Sequence, residues 1–281
     1  MKRILPILIV LSTYILANIN AVVSIVPEAT FVKAIGKDKV DVTVMVSPGS
    51  SPHTYEPKPS QMKVVAKAQL YFAIGVEFEK TWLPRFKDLN PKMKVIDLSQ
   101  GIRKIPMAAH HHEEELHEES GLDPHIWTVP ENVAVIARHI FDELASADPQ
   151  NSAYYKANLD SFLAKVKETD KRIKNYLAPL PKDTTFMVFH PSWGYFAKAY
   201  GLRQLPIEIE GKNPKPRELI AVIKAAQKAH VRAIFTQPEF SDASAKIIAD
   251  ELHIPVIKVS PLAADWSKNL IRIAKAIAGA E

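Results

Sequence analysis

Short apolar runs rich in β-branched residues alternate with helix-length segments twice along this chain, on either side of one unbroken amphipathic stretch of about thirty residues. "KVDVTVMVS" (39–47), "AQLYFAIG" (68–75) and "KVIDLS" (94–99) read as strands, with "PSQMKVVAKA" and "FEKTWLPRFKDL" as the helices between them. After residue 180 the pattern returns: "TTFMVFH" (184–190), "VRAIFTQP" (231–238) and "IPVIKVS" (254–260) are strand-like. "PSWGYFAKAYG", "PRELIAVIKAAQKAH" and "SDASAKIIADEL" are their helices. Continuous apolar strands alternating with helices bury both faces of a sheet, so an α/β fold with one parallel sheet in each half is expected.

The central stretch, "DPQNSAYYKANLDSFLAKVKETDKRIKNYLAPLPKD", begins with Asp148 as a natural N-cap before Pro149, and Pro179 and Pro181 end it. Tyr155, Leu159, Phe162, Val166, Ile173 and Leu177 recur on one side. A helix of that length is a rod of roughly 45 Å, far stiffer than a Gly/Ser linker, which disfavours large hinge closure. The expected division is an N-terminal lobe over 22–147, a linking helix over 148–179 and a C-terminal lobe over 180–281.

Lys2 and Arg3 precede "ILPILIVLSTYILA", a run short for a membrane span and followed by Ala17 and Ala21, so residues 1–21 are expected to be a signal peptide. Removing Lys2 and Arg3, two cations, takes the formal charge from +5 to +3, and the remaining lysines lie among acidic neighbours. No nucleic-acid footprint results. With 47% hydrophobic and 24% charged residues over its full length the sequence has an ordinary globular composition, and a monomer is expected. There is no cysteine, which excludes disulfides, thiolate metal sites, a cysteine nucleophile and a lipid-anchored cysteine. Any metal is therefore held by nitrogen and oxygen. An exported protein without a lipid anchor, in the periplasm, is the expectation.

Ligands of open α/β sheets gather at the carboxyl ends of strands. Three of the ten histidines fall there. His53 lies in "SPGSSPHTYEPKPS", His125 in "GLDPHIW" and His190 in "FHPSWG", each next to a proline that restrains the loop backbone. Drawn from both halves, they suit one cation in the cleft between two lobes. His139 reads as a helix-face residue, and His230 and His253 as helix ends, where a cation suits the dipole.

Taken in order, "SPGSSPHTYEPKPSQMKVVAKAQLYFAIGVEFE", "GLDPHIWTVPENV", "FHPSWGYFAKAYGL" and "EGKNPKPRELIAVIKAAQKAHVRAIFTQPEFS" resemble the substrate-binding proteins of bacterial zinc and manganese ABC importers. The resemblance implies a C-clamp of two lobes joined by one long helix, with the ion in the cleft and a membrane permease as partner. It assigns the metal ligands to His53, His125 and His190. Manganese-preferring relatives tend to carry a carboxylate at the third position, so imidazole at His190 points to Zn2+, with Mn2+ second.

Many relatives carry an Asp before the Pro-Leu of the last strand's loop, where this chain has Ser260. The fourth ligand is left open among Asp265, Glu239, Glu208, Glu210 and water, with Asp265 read more simply as the N-cap of the last helix. A nearby carboxylate supporting the imidazoles is expected. Ahead of His125, "HHHEEELHEE" brings His110, His111, His112 and His117 together with Glu113, Glu114, Glu115, Glu118 and Glu119. With only Leu116 apolar, residues 109–119 are expected to form a mobile loop that collects zinc at low affinity. The rival reading is a zinc-dependent hydrolase with a three-His site, supported by His53 and Glu56 at i, i+3 in "HTYE". Neither H-E-x-x-H nor G-x-S-x-G occurs. A surface adhesin on the same fold is a third reading.

Overall fold

The structure, a computed structural model, describes residues 18–107, 121–209 and 212–279. In the first lobe β1 (Ile19–Val23) lies between β2 (Val40–Val44) and β3 (Leu70–Ala73), and β4 (Lys94–Asp97) forms the far edge. All pairings are parallel, with Val22 opposite Thr43 and Tyr71, and Tyr71 opposite Val95. The second lobe repeats that order: β5 (Thr185–Val188) sits between β6 (Arg203–Pro206) and β7 (Ile234–Thr236), with β8 (Val256–Lys258) outside. Met187 faces Leu205 on one side and Ile234 on the other.

The connections are helical, as parallel pairing requires. In chain order they are α1 (Val26–Gly36), α2 (Pro59–Val65), α3 (Glu77–Leu89), α4 (Pro130–Ala147), α5 (Ser152–Leu177), α6 (Gly194–Ala199), α7 (Pro216–Lys228), α8 (Ala243–Leu252) and α9 (Trp266–Ala278). Gly36 closes α1 because Val40 lies against its Cα and leaves no room for a Cβ.

Three expectations change. Among the described residues β1 begins at Ile19 and lies inside the first sheet, so residues 19–21, expected in the leader, take part in the lobe. β6 is a strand that the sequence pattern does not mark. Asp148 ends α4 instead of capping the long helix: a 3₁₀ turn, Pro149–Asn151, intervenes, and the Asp148 carboxylate accepts from Asn151 Nδ2 (2.6 Å) and Tyr155 Oη (2.8 Å). The 26 residues of α5 then make a rod of about 39 Å.

Tyr155, Leu159, Phe162, Val166, Ile173 and Leu177 form the buried stripe of α5, as their spacing predicts, joined by Thr169. They enter one apolar core shared by both lobes. Phe31 packs on Phe162 and edge-on to Trp266, each with 5.7 Å between ring centroids. The indole of Trp127 donates to Pro261 O (2.8 Å), and Trp266 donates to Trp127 O (2.7 Å), stitching the lobes beside the cleft.

Candidate metal centre

In each sheet the strand order reverses next to its first strand, and the crevice at the carboxyl ends collects the loops. His53 follows β2, Glu77 follows β3 and His125 lies in the crossover after β4. His190 follows β5, Glu208 follows β6, Glu239 follows β7 and Ser260 follows β8.

The His53 loop is tied at its base. Tyr55 Oη bridges Ser47 Oγ (3.1 Å) and Gln61 Oε1 (2.8 Å), while Gln61 Nε2 donates to Met45 O (2.6 Å). His125 is set by Asp123, whose Oδ1 accepts from the His125 backbone N–H (2.8 Å) and lies 2.7 Å from Nδ1. Gly194 makes room for that carboxylate, since a Cβ there would meet Asp123 Oδ2 at 2.5 Å. His190 is clasped by Gln237, which donates to His190 O (2.7 Å) and accepts from His190 N (3.2 Å). Phe240 stacks on its ring at 5.0 Å, and Glu208 Oε1 lies 2.8 Å from its Nδ1.

The three imidazoles meet. One ring nitrogen from each lies within 4.8 Å of the other two, and His53 Nε2 is 3.4 Å from His190 Nε2. Two nitrogens of a tetrahedral zinc site with bonds of about 2.0–2.1 Å stand roughly 3.3 Å apart, so the spacing fits such an ion. Each ring also has a carboxylate at its other nitrogen: Asp123 for His125, Glu208 for His190 and, at 3.9 Å, Glu77 for His53. A carboxylate that accepts from Nδ1–H leaves the Nε2 lone pair for a cation and raises its basicity. Burial holds His190 and His53 below the usual histidine range, outweighing the nearby carboxylates, so both rings are neutral and ready to bind at neutral pH.

The open candidates separate. Asp265 caps α9, accepting from Lys268 N (3.3 Å) and pairing with Lys268 Nζ (2.8 Å). Glu208 stands behind His190 rather than beside it. Ser260 donates to Glu239 Oε1 (2.7 Å), and Glu239 lines the pocket with the three histidines. Glu210 and residues 109–119, with His110, His111, His112 and His117, lie outside the described residues. Glu56 is exposed and does not line the pocket, which removes the motif that favoured a hydrolase. His139 stays within α4, and His230 and His253 follow α7 and α8. Asp123 and Glu77 went unnamed in the sequence reading, although "DPH" carries an Asp two residues before His125 and so offered a signal for Asp123.

This fold has counterparts. A crystal structure of ZnuA superposes with a TM-score of 0.86 at 42% identity, covering 94% of this chain and 99% of that one. The high-affinity zinc uptake system protein ZnuA of Bacillus subtilis (strain 168) is 30% identical over 84% of this chain and 76% of its own length. The zinc-binding protein AdcA of Streptococcus pyogenes serotype M3 is 28% identical over 87% of this chain, which spans about half (50%) of that longer relative. Residues 21–280 match the profile of zinc-uptake complex component A, periplasmic, and the chain belongs to this ZnuA family.

Proposed function

We propose that this protein captures Zn2+ outside the cytoplasmic membrane and hands it to the membrane permease of an ABC importer. The observation that carries the reading is three imidazole nitrogens turned to one point, each ring backed by a carboxylate. The names of the relatives, a zinc-binding protein and a zinc uptake system protein, support the same cargo. Nitrogen donors favour zinc over manganese, which prefers oxygen. His53, His125 and His190 are its ligands in this reading, and the protein acts as an exported monomer that binds rather than transforms its cargo. Among the described residues no helix is long and apolar enough to cross a membrane.

The run from His110 to Glu119 acts as a collector. It leaves and rejoins the fold where Met107 N donates to Gly121 O (3.0 Å), and Met107 lines a cavity shared with His53 and His190. Zinc titrated against a competing chelator tests both roles. Alanine at His53, His125 or His190 is expected to weaken binding far more than deletion of 109–119, and excess manganese is expected not to displace zinc. A deletion more damaging than the single alanines would reverse the two sites.

A further inference from the structure

We propose that Glu239 gives the captured cation its fourth bond, through Oε2, while the Ser260 hydroxyl keeps hold of Oε1. The inference rests on the three-imidazole reading above and extends it.

Three neutral imidazoles leave a tetrahedral ion one donor short and still doubly charged, so an anionic fourth donor is favoured. The first lobe contributes His53 and His125. On the second lobe's side the pocket is walled by His190, Glu239, Phe240, Pro261 and Leu262, and Glu239 can add a side-chain donor there, whereas Glu208, which lines the adjoining cavity, is engaged at His190 Nδ1. Its Oε2 is out of contact with solvent and has no hydrogen-bond partner among the described residues. Its Oε1 accepts from Ser260 Oγ at 2.7 Å.

Ser260 is itself held, with Leu262 N donating to its Oγ (3.0 Å) and Asn269 Nδ2 donating to its carbonyl (2.8 Å). The arrangement matches what Asp123 and Glu208 do for their imidazoles: one polar atom is anchored from behind and another is left for the ion. Ser260 is thus a positioning residue. Glu239 is also tied to His190 through its neighbours in the same loop: Gln237 binds the His190 backbone and Phe240 covers its ring. The other acid of the wall, Glu77, is already shared between His53 Nδ1 (3.9 Å) and Lys80 Nζ (3.8 Å). Glu239 stands outside the set of nitrogens that lie within 4.8 Å of one another, so capture includes a rotation of its side chain onto the ion.

The test uses the full chain loaded with Co2+, whose visible bands report its ligands, together with zinc affinity by chelator competition. In the unaltered protein the cobalt bands are expected not to respond to azide, because no exchangeable water occupies the fourth position. Glu239→Ala is expected to make the bands shift with azide and to lower zinc affinity by about 10–100-fold, with Ser260→Ala falling in between. If azide shifts the bands of the unaltered protein, or Glu239→Ala keeps its affinity, the fourth donor is water and the proposal is overturned while the three-imidazole reading stands. If the unaltered protein takes up neither cobalt nor zinc, that underlying reading fails as well.

Discussion

An imidazole binds a cation through one nitrogen, and what holds the other decides its orientation and basicity. Asp123 and Glu208 are therefore more than neighbours of His125 and His190. Replacing Asp123 with Asn or Glu208 with Gln keeps the shape and removes the charge, and each is expected to lower zinc affinity about 10–100-fold. Isothermal titration with a chelator checks this, and unchanged affinity would show that the pairs only brace the loops. The three histidines were legible because each lies in a connection that follows a strand and sits beside a proline. Glu208 was legible only as a candidate ligand. Its place behind His190 depends on β6, and "RQLP" reads as polar and proline-ended because β6 is an edge strand, where proline is tolerated. Glu239 and Ser260 meet across two loops 21 residues apart, a pairing that no local spacing reveals.

At the scale of elements, the stripe on α5 was readable residue by residue because a 3.6-residue period leaves a plain trace in an amphipathic helix. β1 was not readable: its apolar residues run on from the apolar segment before it, so hydropathy marks no boundary where the central strand begins. α5 bears on both lobes through one core, and Phe162 sits in it against Phe31. Phe162→Ala is expected to lower stability by about 3–5 kcal/mol in a single unfolding transition. Urea denaturation followed by fluorescence and circular dichroism checks it. A loss below about 1 kcal/mol, or separate transitions for the two lobes, would contradict a shared core.

For the whole molecule the question is how a cleft with two buried imidazoles and one exposed one admits and releases an ion. Indole-to-carbonyl bonds at Trp127 and Trp266 and the rod of α5 join the lobes, so change on binding is expected in loops and side chains rather than in a wide hinge. Protons compete with zinc for the same nitrogens. Burial, the largest cause, lowers His53 and His190 from the ordinary 6.5, which moves proton competition at these two rings toward lower pH. Affinity is then expected to fall more steeply with acidification below pH 6.5 than above it, as the folded rings gain protons. The sign for stability is the same: the unfolded chain protonates first, so the metal-free fold loses stability as pH falls below 6.5. Chelator competition across pH checks the affinity, and a decline as steep above pH 6.5 as below it would contradict the depressed imidazoles.

The central claim is that imidazoles from distant parts of the chain share one ion, and anomalous diffraction at the zinc absorption edge from zinc-loaded crystals tests it most directly. The account predicts one strong peak about 2.0–2.1 Å from a ring nitrogen of each of His53, His125 and His190. A peak elsewhere, or one bonded to fewer than three of these rings, would contradict it.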